Sequence, residues 1–248
     1  MSTTTENGDK INLTLPTLDR LGVTVADDID VKGIAYEWFN QFSKEVETGN
    51  VDGVLNLLLE DVFWRDIFAL TWDIRTFLGT ARISKFLQTA LPETKLSKFK
   101  LTEEYLELQR PYPDIAWIQG LFTFETKVGL GSGVFRIVPT KSGQWKAHVI
   151  LTNLEDLKGF PESVGLRRSH ESIHGKWVEL RQREIDFVDS DPAVVIVGAG
   201  QSGLEVAARL KQLGVPALIV EKNARIGDNW RGRYEALCLH DVVCEFFP

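Results

Sequence analysis

Apolar residues recur at helical spacing at Ile34, Trp38, Phe42 and Val46, which predicts an amphipathic helix over residues 34–46, ended by Gly49 and Asn50. Residues 51–59, dense in leucine, predict a second short helix, and residues 61–66 turn into a strand. Residues 67–79 have no clean period. Residues 83–91 predict a third amphipathic helix, stopped at Pro92. From Ser97 the period changes to two, and the pattern predicts strands at 99–108, 115–127, 131–138 and 145–154. Turn residues around Pro111 to Asp114, Val128 to Leu130 and Thr140 to Gly143 separate them, as in an antiparallel meander. Helices first and hairpin strands afterwards describe an α+β layer over residues 31–158, with the helices on one face of a curved sheet. Alternation places Trp117, Gln119, Leu121, Thr123 and Glu125 on one sheet face and Ile118, Phe122 and Phe124 on the other, without saying which is concave. The run from Gly129 to Gly133 resembles a phosphate loop in composition, but no helix follows it, and it reads as a hairpin with strand glycines.

A different pattern occupies residues 193–223. Ala193 to Val197 is an apolar, β-branched run suited to a strand buried on both faces, and G-x-G-x-x-G follows it at Gly198, Gly200 and Gly203. Gly198 allows a sharp turn, Gly200 lets the backbone approach a pyrophosphate, and Gly203 lets the following helix lie close to the strand. Residues 204–213 have helical periodicity, Gly214 closes that helix, and residues 217–220 form a second buried-type strand that ends at Glu221. A carboxylate about twenty residues beyond the glycines is where a ribose hydroxyl is held. The stretch after Val220 is too short for the remaining strands of a doubly wound sheet, so a partial βαβ segment is expected. Its two strands call for cover, by the first domain through the connecting segment or by a homodimer.

Composition adds exclusions. The 248 residues are 44 % hydrophobic and 25 % charged, ordinary for a globular chain of one or two domains. A formal charge of −7, with neither a basic stripe nor a basic amphipathic helix, excludes nucleic acid and anionic membranes as partners and favours small-molecule chemistry. Residues 1–30 read as a polar leader without a targeting signal, and the expected compartment is the cytoplasm. Cys238 and Cys244 lack metal-ligand spacing and read as free thiols. Residues 159–190 read as a linker, with His170 and His174 as solvated histidines rather than metal ligands, and no metal site is expected.

Several strings resemble the N-terminal part of flavin-containing monooxygenase-like proteins that carry an NTF2-like (SnoaL-like) cone ahead of the FAD domain. They are LPTLDRLGV at 15–23, WRDIFALTWDIRTFLG at 64–79, AWIQGLFTFET at 116–126 and the long run at 200–241. The last is the most specific, since the family follows its acidic residue with a G-x-x-W and R-Y segment along the flavin, here Gly227, Trp230, Arg233 and Tyr234, and Leu239, His240 and Asp241 also fit. The resemblance implies an NTF2-like cone over residues 31–158 and an incomplete Rossmann-type segment over 191–248, with Gly198, Gly200, Gly203, Glu221, Trp230 and Arg233 as vestigial or weak cofactor-binding positions. The family's second fingerprint and its NADPH glycine motif do not occur in this sequence.

Two functions from different classes remain open. In the first the cone works alone, as a cyclase or isomerase of terpenoid or polyketide specialised metabolism that needs no cofactor. NTF2-like cones enclose an apolar cavity, in which a small linear or polycyclic apolar substrate would be folded into a reactive shape, an intramolecular Diels-Alder-type closure being the limiting case. The candidate residues are Trp64, Asp66, Trp72, Asp73 and Arg75 around the cone mouth, with Trp117, Gln119, Glu125 and His148 on the strands. In the second, the chain is a flavin-binding protein or subunit in which FAD occupies an incomplete site and NADPH-dependent oxidation requires a partner.

Overall fold

The computed structural model describes residues 14–170 and 172–236. Cys238, Leu239, His240, Asp241 and Cys244 lie outside the described residues. Two compact units meet between Gly159 and Phe160.

The first unit opens with a leader carrying a single helical turn, α1 (Leu18–Leu21). Helix α2 (Val31–Glu47) begins where the Asp30 carboxylate accepts the Gly33 N–H at 2.9 Å, and it buries Ala35, Trp38, Phe39, Phe42 and Val46. Asn50 caps α3 (Val51–Asn56) in the same way. Helix α4 (Thr80–Thr94) continues past Pro92 instead of stopping there. A proline in the last turn removes only the one hydrogen bond its missing N–H would have made, and the buried Leu87, Ala90 and Leu91 hold the helix down.

Six strands form one sheet: β1 (Leu58–Ile67), β2 (Ile74–Leu78), β3 (Ser97–Tyr112), β4 (Ile115–Glu125), β5 (Gly129–Pro139) and β6 (Trp145–Leu157). The order is β2-β1-β6-β5-β4-β3. Strands β3 to β6 are the expected meander. Beyond that expectation, β1 lies parallel to β6, and the unpatterned 67–79 stretch supplies edge strand β2. With the helices packed on one face of this mixed, curved sheet, the unit is an NTF2-like α+β cone.

Ile118, Phe122, Phe124, Phe135, Val62, Trp64 and Ile150 face the helices, and this concave face is not the open apolar chamber expected from the sequence. Trp38 stacks on Phe42 with centroids 5.0 Å apart, and Phe39, Phe42, Phe99, Phe122, Phe124 and Phe135 continue the cluster at 5.5 to 6.4 Å. Strand glycines make room for the rings. Gly133 pairs with Phe122 and Gly120 with Phe135 across β4 and β5, and a Cβ would come within 2.2 Å and 2.4 Å of those rings. Trp117, Gln119, Leu121, Thr123 and Glu125 take the convex face.

In the second unit, residues 160–170 and 172–192 carry a 3-10 turn (Gly165–Arg167) and one α-helix, α5 (Trp177–Ile185), and neither His170 nor His174 lies in either. Parallel strands β7 (Val194–Val197) and β8 (Ala217–Val220) flank α6 (Gln201–Gln212), and a short turn of helix, α7 (Asp228–Arg231), follows. Val195, Val197, Leu218 and Val220 on one face of this pair are 57, 89, 38 and 50 % exposed. Strands expected to be buried on both faces are therefore covered on one among the described residues.

Among the described residues no helix is long and apolar enough to cross a membrane, and no group of three or more His, Cys, Asp or Glu could hold a metal ion.

Candidate functional site

The cone-mouth candidates separate in the structure. Trp64 and Asp66 are fully buried, whereas Trp72 is 70 % exposed. Asp66 is an anchor. Its carboxylate accepts the Thr152 hydroxyl at 2.7 Å, the Leu70 and Thr71 N–H groups at 3.1 Å and the Thr71 hydroxyl at 3.2 Å, while Trp64 Nε1 donates to Thr152. Phe68, at φ +58°, makes the left-handed turn that brings those amides round to the carboxylate. Burial pushes Asp66 above the ordinary carboxylate range, and the hydrogen bonds from Thr152, Leu70 and Thr71 oppose that shift. With these donors already converging on it, Asp66 holds the 68–73 loop rather than a substrate. Asp73 accepts from Arg75 Nε at 2.9 Å and from the Ile74 N–H at 2.8 Å, contacts that lower its pKa. These two residues form a solvent-exposed tie across the loop.

The strand candidates lie on the other side of the sheet. Glu125 is paired with Lys98 and Lys158, the latter chiefly responsible for its lowered pKa. Trp117 and Gln119 come together around Arg136, a residue that sequence reasoning missed because a lone charge on an alternating strand reads as solvated surface. His148 joins them through a β-bulge. Arg136 pairs with Val149 and Ile137 with Ala147, so His148 is the extra residue, and it packs edge-on to Phe63 with centroids 5.8 Å apart.

The second unit holds the more organised site. Gly198 sits at φ +102°, in the left-handed region that admits glycine, and its N–H donates to the Val220 carbonyl at 2.7 Å. A Cβ on Gly203 would stand 2.0 Å from the Gly198 carbonyl oxygen, so only glycine lets α6 start this close to β7. Gly200 caps α6 with no side-chain hydrogen bond, leaving the helix N-terminus open to an anion. Glu221 closes the turn: Oε2 accepts the Ala199 N–H at 2.6 Å, and Oε1 accepts from the Asn223 backbone and side chain at 2.8 Å. Those bonds, from Asn223 and then Ala199, hold its carboxyl below the usual range, so it is ionised at neutral pH. A cleft of about 440 Å³ beside the helix start is lined by Gly200, Gln201, Ser202, Asn229, Trp230 and Arg233. All six cofactor-binding candidates thus fall within one turn-helix-strand neighbourhood. Asn229, unnoticed in the sequence, adds an amide.

The model of the NAD(P)-binding Rossmann-like domain family matches residues 196–246. Indole-3-pyruvate monooxygenase YUCCA8 from rice (Oryza sativa subsp. indica) is 50 % identical over 54 residues, which are 21 % of this chain and 13 % of that protein. An uncharacterized oxidoreductase, CzcO-like, from Geobacillus kaustophilus is 48 % identical over 46 residues, 18 % of this chain and 13 % of that protein. The matched part thus spans about an eighth of either relative. Among solved structures, a ketosteroid isomerase-like protein from Erwinia carotovora atroseptica aligns over 50 % of this chain and 96 % of its own, with a TM-score of 0.39 and 9 % identity. ActVI-ORFA from Streptomyces coelicolor aligns over 51 % and 98 %, with a TM-score of 0.39 and 9 % identity. The chain joins an α+β cone to a segment that matches the NAD(P)-binding Rossmann-like domain family and is similar in sequence to the corresponding segment of indole-3-pyruvate monooxygenases.

Proposed function

We propose that the chain binds the adenosine diphosphate portion of FAD at the β7-α6-β8 turn and serves flavin-dependent oxidation of a small organic substrate. The observation that carries this reading is the Gly198–Gly203 approach, which packs α6 closely on β7 with its N-terminus at the turn, closed by ionised Glu221 on the Ala199 N–H. The open N–H groups at the start of α6 would hold the pyrophosphate, with Arg233 supplying a cation from across the cleft. Glu221 Oε2, which accepts the Ala199 N–H, would take a ribose hydroxyl on its other lone pair. Trp230, stacked against Tyr234, offers an aromatic wall. A bound flavin would contribute hydride acceptance and oxygen activation. The names of the relatives, monooxygenase and oxidoreductase, agree with that chemistry.

A cyclase or isomerase acting inside the cone is the weaker reading. It needs an open apolar chamber, and the concave floor is filled by aromatic rings. Calorimetric titration of the purified chain with ADP and with FAD tests the favoured reading. Saturable binding that Glu221→Ala weakens by about tenfold or more is expected, since hydrogen bonds to a charged acceptor are worth about 1.5–3 kcal/mol each. Absence of binding by both ligands would remove the proposal.

A further inference from the structure

The convex face of the cone sheet carries an arginine held in one orientation. Glu107, Gln119, Arg136, Val149 and Phe63 lie in one row across β3, β4, β5, β6 and β1, and Leu121, Val134, Leu151 and Arg65 lie in the next, with Glu107 bonded to Gln109 and Arg65 to Thr76. The Arg136 guanidinium lies 4.7 Å over the Trp117 ring, its Nε donates to Gln119 Oε1 at 2.9 Å, and Trp117 Nε1 donates to Gln109 Oε1 at 2.8 Å. These contacts orient the planar fork while using only one of its nitrogens. Among the described residues no carboxylate pairs with Arg136, whereas Arg20, Arg75 and Arg110 have Asp61, Asp73 and Asp27. The leader closes one end of this face, with the Leu18 N–H bonded to the Asp114 carbonyl at 2.7 Å and Arg20 bonded to Asp61. Under that edge His148 is 7 % exposed, its Nδ1 buried without a hydrogen-bond partner. Asp61, Arg20 and Arg136 are the charges that act on it.

We infer that this face is a binding site for an amphipathic organic acid, whose carboxylate pairs with the Arg136 fork beside Trp117 and whose hydrocarbon body lies along Val149, Phe63, Val134 and Leu151. The chemistry selects the class. A fork stacked on an indole matches a flat, two-oxygen anion, and an apolar strip in register beside it matches a hydrocarbon chain rather than a hydrated one.

Titration of the full chain with sodium octanoate, 1-octanol and inorganic phosphate tests it, read by calorimetry and by the His148 imidazole resonance. Octanoate is expected to bind saturably and to raise the His148 pKa, because a carboxylate on Arg136 cancels one of the two cations that disfavour the imidazolium. Octanol and phosphate should each bind about tenfold or more weakly than octanoate. Arg136→Gln should reduce octanoate affinity by a similar factor, while Arg82→Gln, an exposed arginine on helix α4, should not. If Arg136→Gln fails to fold, Arg136→Lys carries the test, since it keeps the charge but loses the fork and should also weaken binding. The inference is overturned if octanoate does not bind saturably, if its affinity is unchanged in the Arg136 variants, or if phosphate binds as well as octanoate, which would make this a bare anion site.

Discussion

The two sheets of this protein treat their apolar strand residues in opposite ways. In the cone, Trp64, Phe122 and Phe135 are at most 1 % exposed, Trp64 against Phe42 of α2 and Phe86 of α4, and the two phenylalanines seated against strand glycines. In the dinucleotide unit, Val197 is 89 % exposed and Val220 is 50 % exposed, and α6 packs on one side of the strand pair only. A β-branched apolar run records what a strand could bury; what it does bury depends on the elements packed against it. The cone spends its sequence on packing. The second unit spends its sequence on holding a turn open at the start of a helix.

Mutations should expose this contrast most strongly in the ring cluster. Phe122→Ala removes a ring that touches Phe39, Phe42, Phe99, Phe124 and Phe135, and should cost about 3–5 kcal/mol in urea denaturation of the cone. Next comes Asp66→Ala, which leaves the Leu70 and Thr71 amides and the Thr152 hydroxyl without their acceptor and should cost about 2–3 kcal/mol. The more conservative Asp66→Asn carries a pH signature. Because burial raises the folded-state pKa above the ordinary 3.8, the folded protein keeps this proton to higher pH than the unfolded chain does. The associated stability is full below 3.8 and is lost as pH rises through the raised value. The wild-type stability minus that of Asp66→Asn should therefore fall across that window, and a rising difference would mean that Asp66 is a net beneficiary of ionisation. At the small end, Val197→Thr should change stability by no more than about 0.5 kcal/mol. A loss of several kcal/mol there would show that the exposed strand face is covered in solution, and the contrast between the two sheets would collapse.

Much of this was legible in the sequence, for reasons that differ by element. The 34–46 helix showed itself because Trp38, Phe42 and Val46 point one way, and the meander because Ile118, Phe122 and Phe124 alternate against Trp117, Gln119 and Glu125. Strand β2 was hidden. Ile74, Arg75 and Thr76 are exposed on a sheet edge, so no burial pattern is imposed on them, and their strand character comes from pairing with Ile67, Asp66 and Arg65. The parallel β1–β6 pairing was hidden too, because it joins residues such as Trp64 and Ile150 that no local window contains. The concave face could have been identified from the matched alternation of Gly120, Phe122 and Phe124 with Gly131, Gly133 and Phe135, since a glycine opposite a phenylalanine marks the side where rings lie flat on the sheet. The dinucleotide turn was the easiest to read, since Gly198, at φ +102°, and Gly203, whose Cβ would meet the Gly198 carbonyl, hold positions that other residues cannot take. Arg136 was the hardest, because what distinguishes it is its hold on Trp117 and Gln119, contacts across neighbouring strands that no local window contains.

The most direct test of the central claim is to follow backbone amide shifts during a titration with FAD, in the wild type and in Gly203→Ala. The account predicts saturable shifts at Ala199, Gly200, Gln201 and Ser202, little change among the amides around Phe122 and Trp64, and an affinity reduced about tenfold or more in Gly203→Ala, whose Cβ meets the Gly198 carbonyl. Shifts confined to the cone, or equal affinity in the two proteins, would contradict it.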